Sequence, residues 1–266
     1  MLTTHFVPGA PNWLDIGAPD VDAAAAFYSE VFGWTFQSAG PDSGGYGFFQ
    51  LDGKTVGAVG PLTEEGARSA WTPYFHTADA DATTKAVEQA GGRVRATPMD
   101  VFTHGRLALF TDPTGADFAV WQPGDVPGLD VVMEPNALCW TELYTTDAAA
   151  AREFYRAVFS WSYRDMPMGG GLVYSIASAP GAGQDEDTAH GGILQLQQMH
   201  LDAGSTSEWH PYFGVTDVDA AYRSAVQHGA SPLIAPMDAP GIGRLAMLAD
   251  PAGAPFAVIK GDPTMP

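Results

Sequence analysis

Short apolar strand patterns and amphipathic helical stripes succeed one another along the chain in a fixed order. Residues 13–17 (WLDIG) read as a strand, after which Pro19 and Asp20 open a stretch where Ala24, Phe27, Tyr28 and Val31 recur at helical spacing. Asp20 is suited to cap that helix, because its carboxylate can accept from the first free backbone N–H groups, and Gly33 is suited to end it. Short strand patterns follow at 46–51 and 55–59. The order then recurs: a strand at 73–77, Asp79, a helix over 80–90 stopped by Gly91 and Gly92, and strands at 93–96, 107–111 and 118–121. The last two are joined by the turn sequence Asp112-Pro113-Thr114-Gly115. Each quarter of the chain is therefore expected to be a β-α-β-β-β module. Such a module carries its helix on one face of a sheet and leaves the other face to be covered.

The second half says the same things again. Residues 20–34 (DVDAAAAFYSEVFGW) match 147–161 (DAAAAREFYRAVFSW), 71–81 match 209–219, and 98–119 match 236–257. The later pairs lie 138 positions apart and the first pair 127, so the second half carries an extra loop, placed at 178–190 and expected to be too polar and glycine-rich to pack a core. The predicted fold class is α+β, with four modules paired into two domains whose antiparallel-rich sheets form cups and whose helices lie outside. The expected boundaries are 1–125 for the first domain, 126–137 for a proline-containing linker and 138–266 for the second. A helix over 220–228, ended by Gly229, is the counterpart of the one over 80–90.

Composition narrows the partners. A net charge of -19 with only 12 Lys and Arg argues against nucleic acid and anionic membrane surfaces, which need clustered cations. Cys139 is the single cysteine, so no internal disulfide and no cysteine-rich metal site is available, and its place in an apolar strand pattern suits a buried small hydrophobe. The first residues lack a signal-peptide pattern and no apolar run is long enough to span a bilayer, so the expected compartment is the cytoplasm. The expected partner is a small molecule, with the protein a monomer or homodimer.

The D-x-x-x-x-x-x-F-Y-x-x-V-F-x-W helices and D-P-x-G hairpins, taken in tandem, resemble the vicinal oxygen chelate superfamily, which includes glyoxalase I, extradiol dioxygenases, fosfomycin-modifying enzymes and bleomycin-binding proteins. The two-domain layout is most similar to glyoxalase-like actinobacterial proteins labelled hydroxylase or glyoxalase. The resemblance implies a divalent metal held by side chains on facing strands, and it locates the positions. They fall on Trp13 and Trp140, on Thr72 and His210, on Ala119 and Ala257, and near 57–59 and 191–194. An indole nitrogen only donates and alanine offers nothing, so His210 alone is competent and the expectation is no metal and no other cofactor.

On a strand, residues two apart share a face, so Asp15 accompanies Trp13 and Glu142 accompanies Trp140. A tryptophan beside a carboxylate in both halves could stack a flat ligand and exchange a proton with it, or could simply close the sheet. Glu142, His210 and Asp15 are the candidate catalytic residues. Trp13, Trp140, Arg106, Arg244, Phe75 and Phe213 are the candidate substrate-binding residues, the arginines either pinning a carbonyl or pairing internally with Asp15, Glu142 or the D-P-x-G turn. The expected function is binding of a small apolar or aromatic carbonyl-bearing metabolite in metal-free cups, with isomerase, lyase or hydroxylase chemistry. The alternatives are a sequestering, non-catalytic resistance protein and a metal-dependent glyoxalase or dioxygenase.

Overall fold

The computed structural model describes residues 1–180 and 189–262, and within them each quarter of the chain folds as a β-α-β-β-β module. The first runs β1 (Pro11–Ala18), α1 (Val21–Phe32), β2 (Thr35–Ser38), β3 (Gly47–Leu51), β4 (Lys54–Pro61); the second β5 (Ala70–His76), α2 (Ala80–Gln89), β6 (Arg93–Val101), β7 (Gly105–Thr111), β8 (Asp117–Pro123). The third comprises β9 (Leu138–Thr145), α3 (Ala148–Phe159), β10 (Ser162–Gly169), β11 (Leu172–Ser178) and β12 (Ala189–Gln195). After a short helix, α4 (Gln198–Asp202), the fourth comprises β13 (Glu208–Gly214), α5 (Val218–Gln227), β14 (Ser231–Ala239), β15 (Gly243–Ala249) and β16 (Pro255–Gly261). The strands form two eight-stranded sheets, ordered β2-β3-β4-β1-β5-β8-β7-β6 and β10-β11-β12-β9-β13-β16-β15-β14. In the first module β1 runs parallel to β4 while β2, β3 and β4 meander antiparallel, and the later modules repeat the plan. None of the described helices is long and apolar enough to cross a membrane.

The helix starts are chemically alike. Asp20, Asp79, Asp147 and Asp217 each accept, at 2.9 Å, the backbone N–H three residues on, which satisfies one of the orphaned donors of each first turn. α5 begins at Val218, two residues before the expected 220, because Asp217 is the cap. At the far end Gly33 adopts the left-handed conformation at φ 71°, and Ser160 occupies the matching place at φ 58°. Two edge strands, β2 and β10, show no alternation of buried and exposed positions to betray them in the sequence.

The compact units into which the chain divides combine modules from different halves: Met1–Trp13 with Pro73–Gly128 and Trp140–Trp209, and Leu14–Thr72 with Leu129–Cys139 and His210–Pro266. In the first unit Phe75, Phe110, Phe118, Phe154, Tyr155, Trp161 and Trp209 form one buried aromatic core between α2, α3 and the strands. Its polar centre is Asp112 of the D-P-x-G turn. Asp112 accepts the Tyr155 hydroxyl at 3.0 Å, the Thr114 hydroxyl and N–H at 2.8 Å and the Ala116 N–H at 3.0 Å, and the Trp209 indole donates to Tyr155 at 2.9 Å. The second unit repeats the network with Tyr28, Asp250 and Trp71. Burial, and then the neighbouring carboxylate, hold both tyrosine hydroxyls well above their usual value, so each stays a donor. The Phe-Tyr pair, the tryptophan opening the second-module strand and the D-P-x-G turn thus form one hydrogen-bonded assembly, which accounts for their joint recurrence.

One core residue runs against the sequence reading. Residues 181–188 of the loop expected over 178–190 lie outside the described residues, but Ala189 and His190 begin β12, and His190 is 2% exposed. Its ring lies 4.7 Å from that of Trp161, and neither ring nitrogen has a hydrogen-bond partner. Burial pushes the imidazole down to about 3, against about 6.5 unfolded. A depressed pKa means that the unfolded chain takes up the proton first, so stability falls as pH drops below 6.5 and levels off only near 3. Replacing His190 by valine, the residue at position 56 of the matching strand β4, is expected to flatten urea-unfolding stability between pH 6.5 and 4 by roughly 3 kcal/mol relative to the parent. Parallel pH profiles for the two proteins would contradict this.

Candidate functional site

Strand β9 sets the site in the second half. Its inner positions Leu143 and Thr141 are buried, while Trp140, Glu142 and Tyr144 share the other face. Across the sheet, Glu142 registers with Gly192 on β12, and Gly192 with Ile176 on β11. Tyr174, two residues before Ile176, lies on that same face and lays its ring over Gly192, where a Cβ would run into the tyrosine hydroxyl. The Trp140 indole donates to the Tyr174 hydroxyl at 2.7 Å, and that hydroxyl in turn donates to Glu142. Burial first, and the Glu142 charge second, hold the Tyr174 hydroxyl well above its usual value. Tyr174 therefore remains protonated and orients the carboxylate rather than sharing its titration. Glu142 itself is 6% exposed, a carboxylate removed from bulk water and held by a neutral donor.

The first half has a related but shorter arrangement. Asp15 registers with Ala58 on β4, and Ala58 with Phe48 on β3, which puts Tyr46 where Tyr174 stands in the second half. The Tyr46 hydroxyl donates to Asp15 at 3.0 Å. Trp13 is used differently from Trp140: it stacks on Trp121 at 6.5 Å and 27°, and the position matching Trp121 in the second half is Ile259. The sequence repeat does not mark the two tyrosines as counterparts. They sit 128 positions apart while the helices around them sit 127 apart, so a comparison without a one-residue slip sets Tyr46 against Val173.

The remaining expected site residues fall elsewhere. Phe75 and Phe213 are 0% exposed in the two aromatic cores, so they are packing residues and not ligand contacts, a correction set by strand alternation that turns them toward the helices. Arg106 pairs with Asp100 at 2.8 Å and Asp81 at 3.2 Å, and Arg244 with Asp219 at 2.7 Å and Asp238 at 3.0 Å. Each arginine thus ties its own hairpin to the first turn of its own helix, in place of the expected ligand, Asp15, Glu142 or turn partners. His210 lies on β13, the strand beside β9 in the second sheet. The Cys139 thiol donates to the Tyr212 carbonyl at 3.3 Å, and burial pushes it up to about 12, which suits a packing role.

The positions at which the fold would hold a metal carry Trp13, Thr72 and Ala119 in one half and Trp140, His210 and Ala257 in the other. The Trp140 nitrogen is committed as a donor to Tyr174, and both alanines are fully buried. Among the described residues no three His, Cys, Asp or Glu side chains gather as a metal site would require. This donor set does not fit a divalent ion.

Comparison with known proteins agrees with the fold. Residues 10–120 match the Glyoxalase/Bleomycin resistance protein/Dioxygenase superfamily, and residues 140–259 match a Glyoxalase-like domain. The chain is 42% identical to the anthracycline biosynthesis protein DnrV of Streptomyces peucetius over 274 residues, covering 97% of this chain and 95% of that protein. Among solved structures, the Mn(II)-bound glyoxalase from Novosphingobium aromaticivorans superposes with a TM-score of 0.62 at 19% identity, covering 95% of this chain and 83% of that one. The 2,3-dioxygenase LapB from Pseudomonas sp. KL28 gives 0.64 at 13% identity, covering 96% and 93%. At such identities the structural likeness speaks for the fold alone.

Proposed function

The chain belongs to the glyoxalase/bleomycin resistance protein/dioxygenase superfamily, and from that premise we propose a metal-independent enzyme in which Glu142 moves a proton on a flat, carbonyl-bearing metabolite. The observation that carries this reading is the line Trp140 to Tyr174 to Glu142, in which the indole donates to the hydroxyl and the hydroxyl to the carboxylate. A carboxylate in a dry setting, oriented by a neutral hydroxyl, is a competent general base toward a C–H next to a carbonyl. The proton passes from that carbon to Glu142, an enolate forms, and return of the proton to the same or a neighbouring atom gives exchange or isomerisation. The Trp140 ring offers a face for stacking a planar substrate while its N–H holds Tyr174. A relative named for anthracycline biosynthesis supports a substrate from secondary metabolism. Each half, 1–125 and 138–266 joined by 126–137, is taken as one superfamily domain, with the second carrying the chemistry.

Tyr174→Phe separates this reading from simple sequestration. Loss of the hydroxyl removes a hydrogen bond to a charged group, which is worth ~1.5–3 kcal/mol. Aromatic ketones with exchangeable α-protons, such as 1-tetralone, serve as probes in D2O. The variant is expected to lower kcat for deuterium uptake by about tenfold or more and to move the acid limb of the pH profile upward, since the anion of Glu142 is less well stabilised. A sequestering protein would show binding with no catalysed exchange in either form, and an unmoved acid limb would remove Tyr174 from the mechanism.

A further inference from the structure

We propose that the first half of the chain holds a second ligand site, in which His76 receives a small, uncharged aromatic carbonyl compound. A cavity of about 480 Å³ lies against His5, Phe6, Val7, His76, Pro123 and Pro127. That volume is within the span of small-molecule sites, ~300–1,000 Å³. Its wall is tied in place. The Gly9 N–H donates to the His76 carbonyl and the His76 N–H to the Ala10 carbonyl, both at 2.8 Å, and the Trp161 indole donates to the Gly9 carbonyl at 2.8 Å. Phe6 fills the space that a Cβ at Gly128 would need, so the segment before β1 is docked against residues 127–128.

The chemistry of the ligand follows from the imidazole. His76 is half-buried and lines the cavity, and its Nδ1 is closed off from solvent with no hydrogen-bond partner, which leaves Nε2 as the ring nitrogen available to a ligand. Burial holds the ring below its usual value, which keeps it neutral near pH 7. A bare lone pair is the less costly group to leave unpaired at the shielded nitrogen, since orphaned buried N–H groups are the rarer case. The proton then sits on Nε2, a neutral donor that matches a carbonyl oxygen. Phe6, Val7 and the two prolines supply apolar walls for a ring system. The second half lacks the imidazole: Gly214 stands at the position of His76, and a Cβ there would already be 3.4 Å from the Glu134 carbonyl oxygen. The site is separate from Trp140, Tyr174 and Glu142 and stands or falls without them.

The probe is 2-acetylnaphthalene, titrated into the full chain and followed by histidine ring ¹⁵N resonances, with the His76 signal assigned by its loss in His76→Gly. The His76 signal is expected to move saturably. Val7→Trp, which fills the cavity and keeps the imidazole, is expected to abolish that movement, and Glu142→Gln to leave it intact. 2-Ethylnaphthalene, which lacks the carbonyl, is expected to bind here about three- to tenfold more weakly, the worth of one neutral hydrogen bond. A His76 resonance that does not move, a shift that persists in Val7→Trp, or equal affinity for the two naphthalenes would overturn the proposal.

Discussion

Replacing Asp112 by alanine is expected to lower unfolding stability by about 3–5 kcal/mol, among the largest effects of any single substitution in the chain. The cost does not come from lost charge. Asp112 is 4% exposed and accepts from Tyr155, Thr114 and Ala116, and Tyr155 is itself fully buried and receives the Trp209 indole. Alanine leaves the Tyr155 hydroxyl and the turn N–H groups inside the core without acceptors, each such group costing about 1–3 kcal/mol. Asparagine retains one acceptor oxygen for the turn and places an NH2 against Tyr155, so Asp112→Asn is expected to lose less than Asp112→Ala. Urea unfolding of the two variants measures this directly. A loss under 1 kcal/mol for the alanine variant would contradict a stabilising role for the hydrogen bonds that Asp112 accepts from the turn and from Tyr155.

The same network shows why so much of the fold was legible. Tyr28 and Tyr155, Asp112 and Asp250, and Trp71 and Trp209 recur because one buried assembly is built twice, and long-range assemblies of this kind leave identical residues at identical spacing. The helices were legible from apolar stripes and aspartate caps. The edge strands β2 and β10 were not, because exposed strands have no inside face to pattern. His190 follows a glycine-rich, acidic stretch that carries a loop pattern, although its ring lies in the core. In the site, Trp140 and Glu142 were accessible to strand alternation, which sees one strand at a time. Their partner Tyr174 comes from a strand two places across the sheet, and cross-sheet register is set by hydrogen bonding that no local pattern records. The arginine pairings depend on cross-strand register in the same way. Asp100 and Asp238 face Arg106 and Arg244 directly across the hairpin and claim them before any ligand can.

Glu142→Gln is expected to reduce catalysed α-proton exchange by ~10²–10⁴-fold, the usual contribution of a positioned general base. The substitution is nearly isosteric. The amide oxygen can still accept from Tyr174, so packing around Trp140 and Gly192 has little reason to change, but an amide cannot take up the proton. Binding of a flat ketone should therefore survive while turnover is lost. Asp15→Asn is the matched control: it removes the shorter carboxylate beside Tyr46 in the first half and should leave exchange within about twofold if the second half carries the chemistry, a difference small beside the loss expected at Glu142.

The most direct measurement is deuterium incorporation into 1-tetralone in D2O, monitored by mass spectrometry for metal-stripped wild-type protein and for Glu142→Gln, with ketone affinity determined for both. Catalysed exchange by the stripped wild type, at least a hundredfold loss in the variant and an affinity changed by less than about threefold are the predicted results. Exchange that disappears on stripping and returns with added metal, or a Glu142→Gln protein as active as its parent, would contradict a metal-independent base at Glu142.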